Sequence, residues 1–325
     1  MKRKFLVTGG TGFLGANLVK RLLKEGHQVR VLDNEFRGKK SRLENELNRV
    51  KIINGDVRDP HVVAKAVEGC QSVVHMAYIN GTEFFYSKPE VVLEVGVKGM
   101  LNVLDACRSH KVDDLVLISS SEVYQNPARF PTPEDVPLVI PDVHNPRFSY
   151  GGGKIISELL AINYGRKDFN RVLIIRPHNV FGPDMGWEHV IPQFILRAYD
   201  QNQKQPEGPL AFDIQGQGTE TRAFVYIEDF IDGLMLTIMK GENQGIYHIG
   251  TEVEIAIADV ARKIVSALGR QIDLRHIPLT QGSTVRRCPD ISKIKKLGYN
   301  PKFKFNEALL PAIEWYTQHA AERPN

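Results

Sequence analysis

Cysteine is scarce in this chain: Cys70, Cys107 and Cys288 are the only three in 325 residues, and they stand far apart. Without paired spacing they provide neither a disulfide framework nor a zinc site, and they read as buried bystander thiols. Long apolar runs are also missing, with no stretch approaching the ~18 residues of a membrane span. The run Lys4-Phe-Leu-Val7 comes so early that a signal peptide has no room before it, and a cytoplasmic soluble protein is expected. Nor does one sign of charge dominate. Forty-two Lys and Arg against 38 Asp and Glu give a net charge of +4, scattered along the chain, which excludes a nucleic-acid-binding stripe. His61, His110, His144, His189, His276 and His319 lack ligand-like spacing, so no metal site is expected. Internal repeats and low-complexity tracts are absent.

What remains is an ordinary globular composition, 42% hydrophobic and 25% charged, in a chain long enough for one large domain or two intimately packed ones. Short β-branched runs alternate with helical stretches up to residue 177, at Phe5–Thr8, Val29–Leu32, Val50–Ile53, Ser72–His75, Leu115–Ser119 and Val172–Arg176. That alternation predicts an α/β fold, a doubly wound parallel sheet joined by crossover helices. After Arg176-Pro177 the rhythm breaks. Helices near Ile191–Gln201, Phe230–Met239, Ala258–Leu268 and Asn306–His319 are interspersed with strands near Phe212–Ile214 and Ile246–Ile249 and an irregular basic stretch. Residues 1–177, joined by about 219–240, are expected to form a dinucleotide-binding domain. Residues 178–218 and 241–325 are expected to form a smaller lobe over the open end of the sheet.

Two segments carry the chemistry. Thr8-Gly-Gly-Thr-Gly-Phe-Leu-Gly15 follows the first strand and opens a helix, so Gly9, Gly12 and Gly15 predict a turn whose backbone N–H groups and helix dipole receive a pyrophosphate. The spacing is G-x-x-G-x-x-G rather than G-x-G-x-x-G. The second strand ends at Asp33, about ~20 residues on, where a carboxylate accepts ribose hydroxyls and repels a 2′-phosphate, which favours NAD over NADP. Arg37, Lys39 and Lys40 read as a solvated basic loop. Downstream, Tyr150-Gly-Gly-Gly-Lys154 places a tyrosine and a lysine on one helix face, where the ammonium can stabilise the phenolate and lower its pKa.

The ordered set of these motifs with Asp33-Asn34, Gly55-Asp56-Val57, His75-Met-Ala77, Ser119-Ser-Ser-Glu-Val-Tyr124, Arg176-Pro-His-Asn179-Val-Phe-Gly-Pro183, Arg222-Ala-Phe-Val-Tyr-Ile-Glu-Asp229 and Arg287-Cys-Pro-Asp290 resembles the extended short-chain dehydrogenase/reductases. Within them it is similar to the NAD-dependent nucleotide-sugar epimerases and dehydratases over nearly its whole length. The resemblance implies NAD contacts from Gly9, Thr11, Gly12, Phe13, Leu14, Gly15, Asp33, Asn34, Asp56, Val57, Met76, Ala77, Tyr150, Lys154, Pro177 and Asn179. It implies catalysis by Tyr150 and Lys154 with Ser120, and contacts from Asn179, Arg222 and Arg287 to a nucleotide-diphosphate sugar, UDP favoured. It also implies a homodimer through a four-helix bundle formed by Val91–Cys107 and Ile155–Tyr164.

Ser121 and Glu122 occupy positions where water-eliminating relatives carry Asp and Glu. Glu without Asp is an arrangement also seen in nucleotide-sugar decarboxylases, and Glu122 reads equally as a base or as a hydrogen-bonding residue. Relatives acting on glucuronates often have Arg after the Gly-Pro; here Asp184 stands there, which points to a neutral or acetamido hexose. The expected reaction is 4-epimerisation through a transient 4-keto hexose. The rivals are 4,6- or 5,6-dehydration using Glu122, decarboxylation of a uronate, and a non-catalytic dinucleotide-binding subunit, which the retained Tyr/Lys pair disfavours.

Overall fold

The computed structural model describes residues 2–205, 207–278 and 284–324. Seven strands form the central sheet: β1 (Lys4–Thr8), β2 (Gln28–Asp33), β3 (Val50–Asn54), β4 (Ser72–His75), β5 (Asp114–Ile118), β6 (Arg171–Pro177) and β7 (Gly245–Ile249). Their order is β7-β6-β5-β4-β1-β2-β3, with every neighbouring pair parallel. The topology reverses between β1 and β4, and a crevice opens beyond their carboxyl ends.

Side chains alternate across this sheet with period two, and both faces are dry. Phe5, Val7, Val31, Val116, Ile118 and Ile175 face a core completed by helix α1 (Phe13–Lys24) and the helix Ile227–Lys240. Leu6, Leu32, Leu115, Leu117 and Ile174 face the opposite core, shared with α2 (Pro60–Val67), α3 (Gly99–Ser109) and α4 (Ser149–Gly165). Each fully buried Leu, Ile or Val contributes on the order of 1.5–3 kcal/mol, so such near-continuous apolar runs are what a two-faced sheet requires.

The smaller lobe packs onto the first of these cores through Ile191, Phe194, Phe212, Ile264 and Leu309, which explains why it reads as fragmentary: it has no separate core. Two readings of the chain need correction. The division at residue 241 leaves Ile246–Ile249 in the lobe, yet β7 pairs in register with β6 and completes the sheet. The basic stretch after residue 268 contains a regular strand, Ile272–Ile277, paired in parallel with Leu210–Gln215. The helix expected over Val91–Cys107 is continuous but carries a π-helical turn at Glu94–Lys98, between Pro89–Leu93 and α3.

Candidate active site

A cleft of about 440 Å³ lies at the crevice, and it gathers nearly every residue the sequence singles out. Gly9, Gly12, Phe13, Leu14, Gly15, Asp33, Asn34, Asp56, Val57, Met76, Ala77, Ser120, Ser121, Glu122, Tyr150, Lys154, Pro177, Asn179 and Arg287 all line it. Thr11 and Arg222 do not. Thr11 is buried beneath the glycine turn, where its N–H donates to Asp33 Oδ2 at 2.9 Å. The Arg222 guanidinium is turned onto the carbonyls of Thr221, Thr284 and Val285.

The glycine turn is sterically obligatory. Gly9 has φ +70°, and a Cβ there would lie 2.8 Å from the amide nitrogen of Ala77. A Cβ on Gly15 would lie 2.2 Å from the Gly9 carbonyl oxygen. The turn delivers the chain into α1, whose N-cap, Gly12, provides no side-chain hydrogen bond. The first-turn N–H groups therefore face the cleft unsatisfied by a cap, the arrangement that receives a phosphate. Thr8 ties the two sides of the crevice together: its Oγ1 pairs with His75 Nδ1 at 2.8 Å and accepts from Met76 and Ala77 N–H at 3.1 and 3.2 Å.

At the adenosine end, Asp33 accepts from Thr11 N–H and from Glu35 N–H at 2.9 Å each, which leaves each carboxylate oxygen further acceptor capacity toward a ribose. Asp56 is held by Arg58, which chiefly lowers its carboxyl pKa, and by Asn34 Nδ2 at 3.0 Å. Glycine cradle, uncapped helix and ribose carboxylate together fit a dinucleotide.

The basic loop after β2 is solvated only in part: Lys40 is exposed as expected, but its neighbours are engaged. Arg37 pairs with Glu188 at 2.9 Å, Lys39 Nζ lies 5.7 Å from the Trp187 ring centroid, and Arg42 grips Asp184 with two 2.7 Å bonds plus one to its carbonyl at 2.9 Å. The loop is thus latched to the segment 184–188 across the cleft. This also corrects the reading of Asp184: its carboxylate is committed to Arg42 rather than facing a sugar, so the electrostatic objection to a carboxylate substrate falls away.

At the reacting end, α4 presents Tyr150 and Lys154, both buried. Burial raises the Tyr150 phenol above its ordinary value, opposed by a hydrogen bond with Ser120, and burial pushes Lys154 down to about 7. The expected lowering of Tyr150 by the Lys154 ammonium is not found in the chain alone. Lys154 Nζ donates to the Ile118 carbonyl at 2.7 Å and sits 5.8 Å from the centroid of the Tyr150 ring. Ser120 Oγ accepts from Glu122 N–H at 3.1 Å. Glu122 Oε1 in turn accepts from Arg287 Nη1 at 2.7 Å. Burial alone would raise the Glu122 carboxyl, but Arg287 above all, then Arg147 and Arg222, hold it below its usual value.

Sequence reasoning missed Arg42, Arg147 and Tyr78. Arg147 lies three residues before Tyr150, and its buried Nε has no hydrogen-bond partner among the described residues. Its place so close to Tyr150 was a usable signal; the other two depend on contacts between distant segments. Among the described residues no group of His, Cys, Asp or Glu is arranged to hold a metal, and no helix is long and apolar enough to cross a membrane.

Fold and site together define a dinucleotide-dependent enzyme with a Ser/Tyr/Lys set at the end of a nucleotide-binding cleft. The chain belongs to the NAD dependent epimerase/dehydratase family, whose model matches residues 5–250, and NAD is its cofactor. It is similar to UDP-glucuronic acid decarboxylase 5 of Arabidopsis thaliana, 30% identical over 96% of this chain and 88% of that one. Among solved structures, the dTDP-glucose 4,6-dehydratase of Streptomyces venezuelae with NAD and TYD bound superposes with a TM-score of 0.87 at 28% identity, covering 98% of both chains. The epimerase Mth375 of Methanothermobacter thermautotrophicus does so with a TM-score of 0.87 at 27% identity, covering 99% of this chain and 94% of that one. The chain is accordingly an enzyme of the nucleotide-sugar epimerase, dehydratase and decarboxylase group.

Proposed function

We propose that this enzyme oxidises C4 of a nucleotide-diphosphate hexuronate, UDP favoured, and releases its C6 carboxylate as carbon dioxide. The observation that carries this reading is the Arg287–Glu122 pair beside Ser120 and Tyr150. A guanidinium there stands at the reacting end of the cleft, and a sugar carboxylate can replace Glu122 as its partner, whereas a neutral hexose offers no such exchange. Arg147 adds positive charge at the same place.

NAD, held by the glycine turn, Asp33 and Lys154, would supply the hydride acceptor for C4. The chain does the rest. Tyr150 takes the O4 proton, with the Ser120 hydroxyl orienting O4 and Lys154 carrying positive charge on the same helix face. The resulting sugar is a β-keto acid. Its C5–C6 bond breaks, the electron pair moves into the C4 carbonyl as an enolate, carbon dioxide leaves, C5 takes up a proton, and C4 then takes its hydride back while Tyr150 returns the proton to O4. Similarity to a UDP-glucuronic acid decarboxylase supports this assignment.

A second reading, 4-epimerisation, is favoured by one observation. Glu122 is committed to Arg287, which leaves Ser120, Tyr150 and Lys154 as a set complete for chemistry confined to C4. Mass spectrometry after incubation with UDP, GDP, dTDP and CDP hexoses and hexuronates separates the readings. Loss of carbon dioxide from a uronate is the expected result; unchanged mass with altered retention means epimerisation, and loss of water means a dehydratase.

The expected homodimer remains part of the proposal, since Leu93, Ile156 and Leu159 are 38%, 39% and 56% exposed on the two helices concerned. Light scattering at micromolar concentration should give twice the chain mass, and a monomer would remove it.

A further inference from the structure

Tyr78 follows Met76-Ala77 in the cleft wall, and its surroundings are unusual. Its hydroxyl is buried with no hydrogen-bond partner among the described residues. The ring is wedged between the π-helical turn and α4 at two glycines. A Cβ on Gly96 would lie 2.1 Å from the Tyr78 hydroxyl and 2.3 and 2.5 Å from ring carbons; a Cβ on Gly153 would lie 2.1 Å from the hydroxyl but 3.4 Å from the nearest ring carbon. The face of the ring lies under Lys154, with Nζ 4.0 Å from its centroid. The Tyr78 and Tyr150 rings are nearly perpendicular with centroids 5.0 Å apart, and Phe85 stacks on the same Tyr150 ring with centroids 4.9 Å apart.

We propose that Tyr78 is a positioning residue for the catalytic pair. Its ring is a cation–π platform that fixes the Lys154 ammonium, and Gly96 and Gly153 are the slot that seats it. A buried ammonium with one carbonyl acceptor needs further compensation, and an aromatic face at this distance supplies it where water is excluded. An unsatisfied hydroxyl in the slot costs stability, so the ring rather than the hydroxyl is what the site uses. The other titratable and charged groups around Lys154 are Glu158 one turn on, itself paired with Arg176, the His75 imidazole on β4, held neutral by burial, and the Tyr150 phenol.

The slot makes an asymmetric prediction. Gly153→Ala clashes with the hydroxyl alone, so Tyr78→Phe should rescue it; Gly96→Ala clashes with the ring, so Tyr78→Phe should not. Melting temperature reads both cycles. Rescue of Gly153→Ala, including recovery of soluble protein if the single variant fails to fold, supports the slot. Failure of the double variant, or a Gly153→Ala protein as stable as the parent, overturns it.

The platform is tested by NAD affinity against pH. Tyr78→Leu loses the π face together with part of the ring's volume, so NAD binding should weaken by roughly tenfold to thirtyfold. Its alkaline loss of affinity should move to lower pH, because the Lys154 ammonium is less favoured, while Tyr78→Phe should restore both. A Tyr78→Leu protein with the parent's affinity and pH profile would reduce Tyr78 to space-filling. This second test rests on Lys154 serving NAD, which the melting cycles do not, so the two failures are distinguishable. Neither test depends on which sugar is turned over.

Discussion

Arg287→Met separates the two ends of the cleft at which this guanidinium can serve. Arg287 is bound to Glu122, and their side chains are 12% and 23% exposed, so the pair is largely desolvated. If Arg287 receives the sugar carboxylate, its removal deletes a charge-assisted hydrogen bond worth about 1.5–3 kcal/mol, or roughly ten- to 150-fold in kcat/KM. That loss should fall on UDP-glucuronate and spare C4 oxidation of UDP-glucose, followed as NADH absorbance in a single turnover. The pH profile supplies a second signature. Arg287 is the main influence holding the Glu122 carboxyl low, and without it burial raises that carboxyl. The Glu122 carboxyl should therefore titrate at a higher pH than in the parent, read from its carboxyl band in infrared difference spectra. Equal losses on uronate and hexose would refute the reasoning and return Arg287 to the diphosphate.

Other expected outcomes follow from the same geometry. Tyr150→Phe should retain NAD and nucleotide-sugar binding while turnover falls by about 10²–10⁴-fold, and Lys154→Ala should damage both turnover and NAD retention; stopped-flow absorbance and acid-released cofactor measure the two. Arg42→Ala unlatches the loop after β2 from Asp184, so NAD should dissociate faster through gel filtration, with the difference from the parent narrowing in high salt and the fold intact by circular dichroism. Acid should destabilise the protein before its carboxylates titrate. Burial lowers His75 and His248 to about 3, so the unfolded chain binds the extra protons below about 6.5 and stability falls as pH drops, by about 2 kcal/mol per histidine at pH 5. The melting temperature between pH 7 and pH 5 checks this, and a flat profile would contradict the buried neutral assignment.

Legibility in the chain followed the range of the interaction. The glycine turn, Asp33 at the end of β2 and the Tyr150/Lys154 face are local patterns, and each lies where its spacing predicted. Arg287 and Glu122 are 165 residues apart, and Arg42 and Asp184 are 142 apart. Neither partner could be read from its own segment, so Asp184 pointed to a neutral sugar until its partner was known. The strand at 245–249 was visible from its β-branched run, but its place beside β6 is a matter of pairing, not propensity. Tyr78 was one residue past the recognised His75-Met-Ala77, and only three-dimensional packing joins it to Gly96 and Gly153. The inserted π turn at Glu94–Lys98 keeps the helix continuous, so apolar periodicity alone did not mark it.

The most direct test of the central claim uses a nucleotide hexuronate deuterated at C4. If catalysis begins with hydride transfer from C4 while Tyr150 takes the O4 proton, the deuterium should be found on the nicotinamide or back at C4 of the decarboxylated product, with none in solvent water. Deuterium released into water, or decarboxylation that proceeds unchanged in Tyr150→Phe, would contradict the account.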